Sequence, residues 1–81
     1  MRVLYFAWLR ERIGVGREEI ETSAPDVAAL IEELRARDEG HALAFADLSA
    51  GRVAVDQEAA EFDASLANVR EVAFFPPVTG G

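Results

Sequence analysis

The amino-acid sequence predicts an α+β fold, in which a mixed β-sheet is covered on one face by one main helix. Three observations support this prediction. The two most apolar segments, residues 3–8 and 71–75, lie near opposite ends of the 81-residue chain. One amphipathic helix is predicted between them, within residues 23–40. The other strand candidates are short, and the length of the chain is that of a single domain.

The N-terminal segments predict a central strand followed by an edge strand. Residues 3–8, VLYFAW, form a continuous run of strand-forming residues that is too short for a helix. Such a run is typical of a strand buried on both faces. Residues 9–13, LRERI, can form a helical turn before the glycines of residues 14–16 break the chain. Residues 17–22, REEIET, are charged and predict an exposed edge strand.

The main helix is predicted to begin at Ser23, a natural N-cap, with Pro25 in the first turn and Asp26 three residues after the cap. Gly40 is the predicted stop signal. The apolar residues between these signals recur at i, i+3, i+4 and i+7, which places them on one face of a helix. They are Val27, Leu30, Ile31 and Leu34.

The second half of the chain predicts further strands. Residues 41–51, HALAFADLSAG, read as a mixed connection with room for a helical turn. Residues 52–55, RVAV, predict a short strand. Residues 56–62, DQEAAEF, predict a turn and another short strand. Residues 63–70, DASLANVR, predict a loop with Leu66 in the core.

The last predicted strand covers residues 71–75, and Pro76 and Pro77 end it because proline cannot donate to a strand ladder. The resulting order of strand, strand, helix, strand, short strand, strand is that of the β-grasp type. We expect the first and last strands, which are the most apolar, to lie side by side. Residues 1–75 are therefore predicted to form the β-grasp domain, and residues 76–81 an extended tail.

One helix cannot cover both faces of this sheet, and the central strands keep apolar residues on both faces. We therefore expect the face without the helix to be a partner interface. If Val72 and Phe74 point toward the helix, strand alternation turns Ala73 and Phe75 the other way, together with Phe6. These three residues are the predicted interface residues.

Composition argues against several classes of function. The net charge of −7 disfavours nucleic acid and anionic membranes as partners, although a basic protein partner or simple solubility would fit. The absence of cysteine excludes disulfides and thiolate chemistry, and no metal site is expected. His41 is the only histidine, and we expect it to be solvent-exposed or to have a packing role.

The sequence also bears on where the chain acts. It has no apolar run near 18 residues, so no membrane span is expected. The N-terminal segment lacks a small-residue cleavage site, so a signal peptide is not expected either. We therefore expect a cytoplasmic protein.

The tail predicts chemistry at the C-terminus. Pro76 and Pro77 favour extended geometry, and residues 78–81 can reach roughly 13 Å when extended. Gly80 and Gly81 carry no Cβ, so they could thread a channel too narrow for any side chain. The α-carboxylate, with a pKa of about 3.5, is ionised and unreactive until it is activated. The alternative is a frayed end without function, but the spacer, strand and glycines together favour delivery of Gly81 to another active site.

The chain resembles the small, sulfur-carrier subunits of molybdopterin synthase over its whole length. The ending EVAFFPPVTGG carries most of this resemblance, supported by the opening VLYFAWLRERIG, the capped helix and AVDQE. Two positions depart from the family pattern. Asn68, Val69 and Arg70 stand where an acidic-glycine turn is frequent, and Asp56 stands where asparagine is frequent, so the departures concern local turns and not the tail.

The resemblance implies a ubiquitin-like β-grasp fold and a carrier function. A ubiquitin-activating-type adenylyltransferase would use ATP to adenylate Gly81, which then becomes a thiocarboxylate. The tail residues Pro76, Pro77, Val78, Thr79 and Gly80 would thread into the large synthase subunit, where the sulfur attacks cyclic pyranopterin monophosphate. The family assembles as a heterotetramer. No stably bound cofactor is expected, and acid–base groups would come from the partner because this chain has no lysine.

Three alternatives remain open from the sequence. The chain could carry sulfur for thiamin or cysteine synthesis, although the FFPPV spacer favours the molybdopterin family. It could be a ubiquitin-like modifier that forms isopeptide bonds with lysines of target proteins. It could also be an interaction module whose tail is inert. As a sulfur carrier, the chain alone is expected to be a carrier and cosubstrate and not a catalyst.

Overall fold

The computed structural model describes residues 1–46 and 51–77. Within these ranges the chain forms five strands and three helices. The strands are β1 (Arg2–Tyr5), β2 (Arg17–Glu19), β3 (Arg52–Val55), β4 (Glu58–Ala60) and β5 (Glu71–Phe75). The helices are α1 (Trp8–Ile13), α2 (Val27–Arg35) and α3 (Glu39–Ala46). No helix in the described ranges has both the length and the apolar composition needed to cross a membrane.

The strands form one mixed sheet in the order β2-β1-β5-β3-β4. The central pair, β1 and β5, is parallel, with Val3 opposite Val72 and Tyr5 opposite Phe74. The other pairs are antiparallel. The predicted adjacency of the first and last strands is thus confirmed, and so is the position of β2 at an edge.

The hydrophobic core lies between one face of this sheet and the helices. Each strand of the central pair alternates, so that Val3, Tyr5, Val72 and Phe74 are buried on the helix side. The predicted stripe of α2 packs against them, with Val27, Leu30 and Leu34 fully buried and Ile31 only partly so. Leu66 reaches the same core from the loop before β5, as predicted.

Helix α2 begins later than predicted, because Asp26 and not Ser23 is its N-cap. Asp26 has extended backbone, and its Oδ1 accepts a hydrogen bond from the Ala29 N–H at 2.8 Å. The segment before it is held straight by the loop before β5. The Pro25 carbonyl accepts from the Leu66 N–H at 2.9 Å, and Asp26 forms a bridge with Ser65. This tertiary pairing prevents residues 23–25 from joining the helix.

The predicted stop at Gly40 is wrong. Helix α2 ends at Arg35, and Gly40 lies inside α3, a helix where only a turn was expected. Asp38 begins that helix by accepting a hydrogen bond from the His41 N–H at 2.8 Å. A Cβ at Gly40 would lie 3.3 Å from the carbonyl oxygen of Arg12. The absence of a side chain at Gly40 therefore allows α3 to lie close to α1.

The two positions that depart from the family pattern both adopt left-handed backbone. Asp56 and Gln57 form the β3–β4 turn with φ of 48° and 71°, and Asn68 has φ of 62°. Asparagine and aspartate tolerate this region better than other non-glycine residues. The Oδ1 of Asp56 also accepts hydrogen bonds from the Arg70 and Glu71 N–H groups, each at 3.0 Å. These contacts fix the hairpin turn to the start of β5.

Candidate functional site

The sheet face opposite the helices carries an apolar strip that we call the open face. It is formed by alternate residues of the central strands and by the residue after β1. The members are Leu4, Phe6, Ala54, Ala73 and Phe75. Strand register places Leu4, Ala73 and Ala54 in one row across the sheet, so the strip is continuous.

Phe6 and Phe75 form a stacked aromatic pair at one end of the open face. Their ring centroids are 4.6 Å apart and their planes differ by 8°. Phe6 is 42% exposed, an unusual position for a phenylalanine, whereas Ala73 beneath is buried at 5% exposure. The structure therefore brings together the three predicted interface residues. Their contact with a partner stays a prediction.

The backbone around Phe6 explains why its ring faces outward. The Phe6 N–H still donates to the Phe74 carbonyl at 3.2 Å, so Phe6 continues the β1 alternation beyond the end of the strand. Ala7 then reverses the chain with φ 52° and ψ −134°, a conformation that is costly for alanine. Helix α1 follows directly at Trp8. The predicted strand through Trp8 is thus too long, because the turn at Ala7 ends it.

The tail leaves the sheet beside this aromatic pair. Phe75 is the last residue of β5, and Pro76 follows it directly. Pro76 is buried and Pro77 is half-buried, so the two prolines pack against the folded part of the chain. The predicted tail residues Val78, Thr79 and Gly80 and the predicted reactive residue Gly81 lie outside the described residues.

The two ends of the open face differ in their charged residues. Near the tail, Arg17 lies opposite Leu4 and Arg52 lies opposite Phe75 in the strand register. A shallow depression of about 470 Å³ beside Phe6 is lined by Leu4, Arg10 and Arg17, among others.

At the far end of the open face, the Arg2 side chain pairs with Glu19 and Glu71 at 3.5 and 3.4 Å. These acids compensate the charge of Arg2, whereas Arg17 and Arg52 form no ion pair with any residue that the structure describes.

A second polar cluster lies on the helix side of the sheet, around His41. His41 is 3% exposed, with Nε2 at 2.8 Å from Glu18 Oε2 and Nδ1 at 2.8 Å from Asp38 Oδ1. The Tyr5 hydroxyl donates to Glu18 Oε2 at 2.7 Å. Arg37 adds a longer contact of 4.0 Å to Glu18. Of the two roles expected for His41, packing is confirmed and solvent exposure is wrong.

The cluster shifts the protonation of its members. Burial lowers the pKa of His41, but hydrogen bonds and charges from Glu18 and Asp38 outweigh it and raise that pKa above its usual value. Burial raises the pKa of Glu18, but hydrogen bonds from His41 and Tyr5 hold that pKa below its usual range. Hydrogen bonds from the backbone and ring of His41 lower the pKa of Asp38. Burial, and then Glu18, raise the pKa of Tyr5.

With these protonation states, the cluster has a structural role. Each ring nitrogen of His41 faces a carboxylate oxygen, so the contacts are best satisfied when both nitrogens carry protons. Within residues 1–46 and 51–77, no buried side-chain polar atom lacks a partner, and no group of acids and histidine is arranged to hold a metal ion. Tyr5 faces the core while Phe6 faces outward, so the cluster lies across the sheet from the open face. Sequence reasoning missed it because Tyr5 and Glu18 are distant along the chain from Asp38 and His41.

Comparison with known proteins decides the family. The model of the ThiS family matches residues 3–81, nearly the whole chain. The chain belongs to the ThiS family. Two curated relatives, both called molybdopterin synthase sulfur carrier subunit, support this assignment. The one from Escherichia coli strain K12 is 42% identical, and the match covers 100% of this chain and 99% of that protein. The one from Haemophilus influenzae is 39% identical with the same coverage.

Solved structures of similar proteins confirm the β-grasp fold of this ThiS family member. SAMP1 from Haloferax volcanii superposes with a TM-score of 0.76 at 25% identity, over 100% of this chain and 98% of the other. A protein described as putative molybdopterin converting factor, subunit 1, from Pyrococcus furiosus superposes with a TM-score of 0.72 at 29% identity, over 95% of both chains. The predicted fold class and the predicted family are therefore confirmed.

Proposed function

We propose that this chain carries sulfur for molybdopterin synthesis on its own C-terminus. The observation that carries the proposal is the 42% identity over the whole chain to a molybdopterin synthase sulfur carrier subunit. The matched residues extend to the Gly80–Gly81 ending. The stacked pair of Phe6 and Phe75 supports the proposal further, because it offers an anchor beside the start of the tail.

The proposed site of sulfur attachment follows from the absence of cysteine in the sequence. Sulfur therefore cannot be carried on a side-chain thiol and is placed on the terminal carbonyl of Gly81. A free carboxylate is a poor electrophile. An ATP-dependent adenylyltransferase would first join it to AMP with release of pyrophosphate. A sulfur donor would then displace AMP and leave a thiocarboxylate, which attacks cyclic pyranopterin monophosphate.

The partner in this proposal is the large subunit of molybdopterin synthase. Its surface would cover the open face, and its active site would receive residues 78–81. The His41 cluster lies on the other side of the sheet, and no lysine is present in the chain. The large subunit would therefore supply the acid–base groups, which leaves this chain as a carrier and cosubstrate.

Intact mass spectrometry tests the proposal. The chain would be incubated with the adenylyltransferase of the same organism, ATP and a sulfur donor. We expect a mass gain equal to the replacement of one oxygen by sulfur, followed by its loss when the large subunit and precursor are added. Deletion of Gly81 should prevent the gain while the thermal unfolding curve stays unchanged. Normal sulfur transfer by that deletion would refute the proposal.

Gly80→Val tests the threading step separately from loading. Valine at this position brings a branched side chain into a channel proposed to admit only glycine. We expect transfer to the precursor to slow strongly while thermal stability stays the same, with Gly80→Ala intermediate. Transfer at the normal rate by Gly80→Val would argue against a narrow channel.

A second candidate function is protein modification, favoured by the fold match to SAMP1 at a TM-score of 0.76. A second Haloferax volcanii structure of the same fold is described as small archaeal modifier protein 1. A modifier would use the same activated Gly81 but pass it to lysines of other proteins. Higher-mass conjugates in cells, lost when Gly81 is deleted, would favour this function. Their absence alongside normal sulfur loading would favour the carrier.

A further inference from the structure

The arginines beside the tail differ from most others in the chain. Arg2, Arg35 and Arg37 each lie within 4.0 Å of a glutamate. Arg12 lies over the Trp8 ring at 4.2 Å. The remaining four form no ion pair or hydrogen bond through their side chains with any residue in the described ranges. They are Arg10, Arg17, Arg52 and Arg70.

Three of these four surround the aromatic end of the open face. Arg17 lies on β2 beside Leu4, and Arg52 lies on β3 beside Phe75. Arg10 reaches the same rim from α1, where a Cβ on Gly16 would come within 3.3 Å of its Nε. The absence of a side chain at Gly16 thus leaves room for the arginine. Arg70 is the exception, because it precedes β5 at the opposite end of the sheet.

Their separation indicates the kind of partner. Three strand spacings, about 14 Å in total, separate β2 from β3, and the apolar strip runs between the two strands. A small anion is bound by donors that converge on one point. Arginines spread on both sides of a nonpolar strip are suited instead to a protein surface. In a chain with 15 acidic and 8 basic residues, three arginines without an ion pair to any described residue also add positive charge at this end.

We infer that the open face docks on a surface whose apolar socket is flanked by carboxylates, which pair with Arg17 on one side and Arg52 on the other. This inference rests on the proposed function and takes the large subunit of molybdopterin synthase as the partner. The aromatic pair fills the socket, and the two arginines fix the orientation of the sheet over it. Arg10 adds to the positive field on the Arg17 side. Polar and charged groups at a rim mainly govern orientation and association rate.

The lack of lysine allows a direct test. Arg17→Lys, Arg52→Lys and Arg70→Lys each introduce one side-chain amine into a chain that otherwise has none, without changing the net charge. Each variant would be mixed with the large subunit of the same organism and treated with a zero-length carbodiimide, which joins amines to carboxylates. We expect links from positions 17 and 52 to large-subunit aspartates or glutamates, and none from position 70. Intact complexes that give no link from positions 17 and 52 would overturn the inference.

Charge reversal gives an independent kinetic readout. Arg17→Glu, Arg52→Glu and the control Arg70→Glu each change the net charge from −7 to −9, because +1 is replaced by −1. We expect the first two to slow association with the large subunit by about tenfold at low salt, and the control to change it much less. Equal effects of all three would overturn the inference. If the unmodified chain itself fails to bind the large subunit, the proposed function fails instead.

Discussion

At the scale of single residues, Asp56 has two structural roles that can be separated by substitution. It adopts a φ of 48°, and its side chain accepts hydrogen bonds from two N–H groups at the start of β5. Asparagine retains both the acceptor oxygen and the tolerance for left-handed backbone. This explains how aspartate can stand where the family often has asparagine.

We therefore expect Asp56→Asn to leave the free energy of unfolding nearly unchanged. Asp56→Ala should lower it by about 1–2 kcal/mol, because it removes the acceptor and places alanine in a strained conformation. Chemical denaturation of the two variants beside the unmodified chain measures this difference. Equal stabilities of Asp56→Ala and Asp56→Asn would show that the hydrogen bonds contribute nothing.

Phe75 is the residue whose loss should separate binding from folding. It is only half-buried, and its main ring contact is Phe6, which is itself exposed. We expect Phe75→Ala to weaken binding to the large subunit by roughly 2 kcal/mol or more, while the loss in folding stability is smaller. Titration calorimetry and thermal unfolding measure the two quantities. A variant that unfolds readily while its folded fraction binds normally would place Phe75 in the core instead.

At the scale of elements, α2 is the best test of the predicted core. Leu30 and Leu34 are fully buried, whereas Ile31 on the same predicted stripe is partly exposed. Leu30→Ala or Leu34→Ala should each cost roughly 2–5 kcal/mol of stability. Ile31→Ala serves as the matched control and should cost clearly less. A loss under about 1 kcal/mol for the leucine variants would show that the wrong helix face was assigned.

The elements also show why sequence patterns predicted some features and missed others. The apolar stripe of α2 was predictable because amphipathic spacing indicates a helix with one buried and one solvent-exposed face. Helix α3, with the sequence EGHALAFA, has no such pattern: His41 is buried while Leu43 is 58% exposed. Its apolar and small residues surround the helix, so periodicity gave no signal.

The start of α2 was mispredicted for a different reason. Ser23 and Asp26 are both good N-caps, and the choice between them depends on a hydrogen bond from Leu66 to Pro25 that connects distant parts of the chain. The candidate site was likewise predictable only in part. The alternation of β1 and β5 predicted which residues share the open face, but the His41 cluster depends on contacts between β1, β2 and the start of α3.

At the scale of the whole molecule, the His41 cluster makes stability depend on pH. Because the folded protein holds the His41 pKa above its ordinary 6.5, this group stabilises the fold fully below pH 6.5. The contribution is lost as the pH rises through the folded pKa. Glu18 and Asp38 have lowered pKa values, so their contributions are present above about pH 4.5 and 3.8 and are lost as the pH falls through the folded values.

We therefore expect the cluster to stabilise the fold most between about pH 4.5 and 6.5. The free energy of unfolding should fall as the pH rises above about 6.5 and His41 loses its proton, and His41→Gln should flatten that fall. Denaturant titrations of both proteins across this range make the comparison. His41 is the only histidine, so no second imidazole complicates it. An equally steep fall in His41→Gln would show that the imidazole is not the responsible group.

The pairing of β1 with β5 also has a consequence for the order in which the molecule is made. Arg2 pairs with Glu71, 69 positions later. The ribosome therefore makes β5, the central neighbour of β1, only near the end of synthesis. Contacts this distant along the chain form late. Phe75 belongs to that last strand, and Phe6 has its stacking partner only once the strand is in place. A partner that recognises the aromatic pair therefore selects finished, folded molecules and passes over chains still on the ribosome.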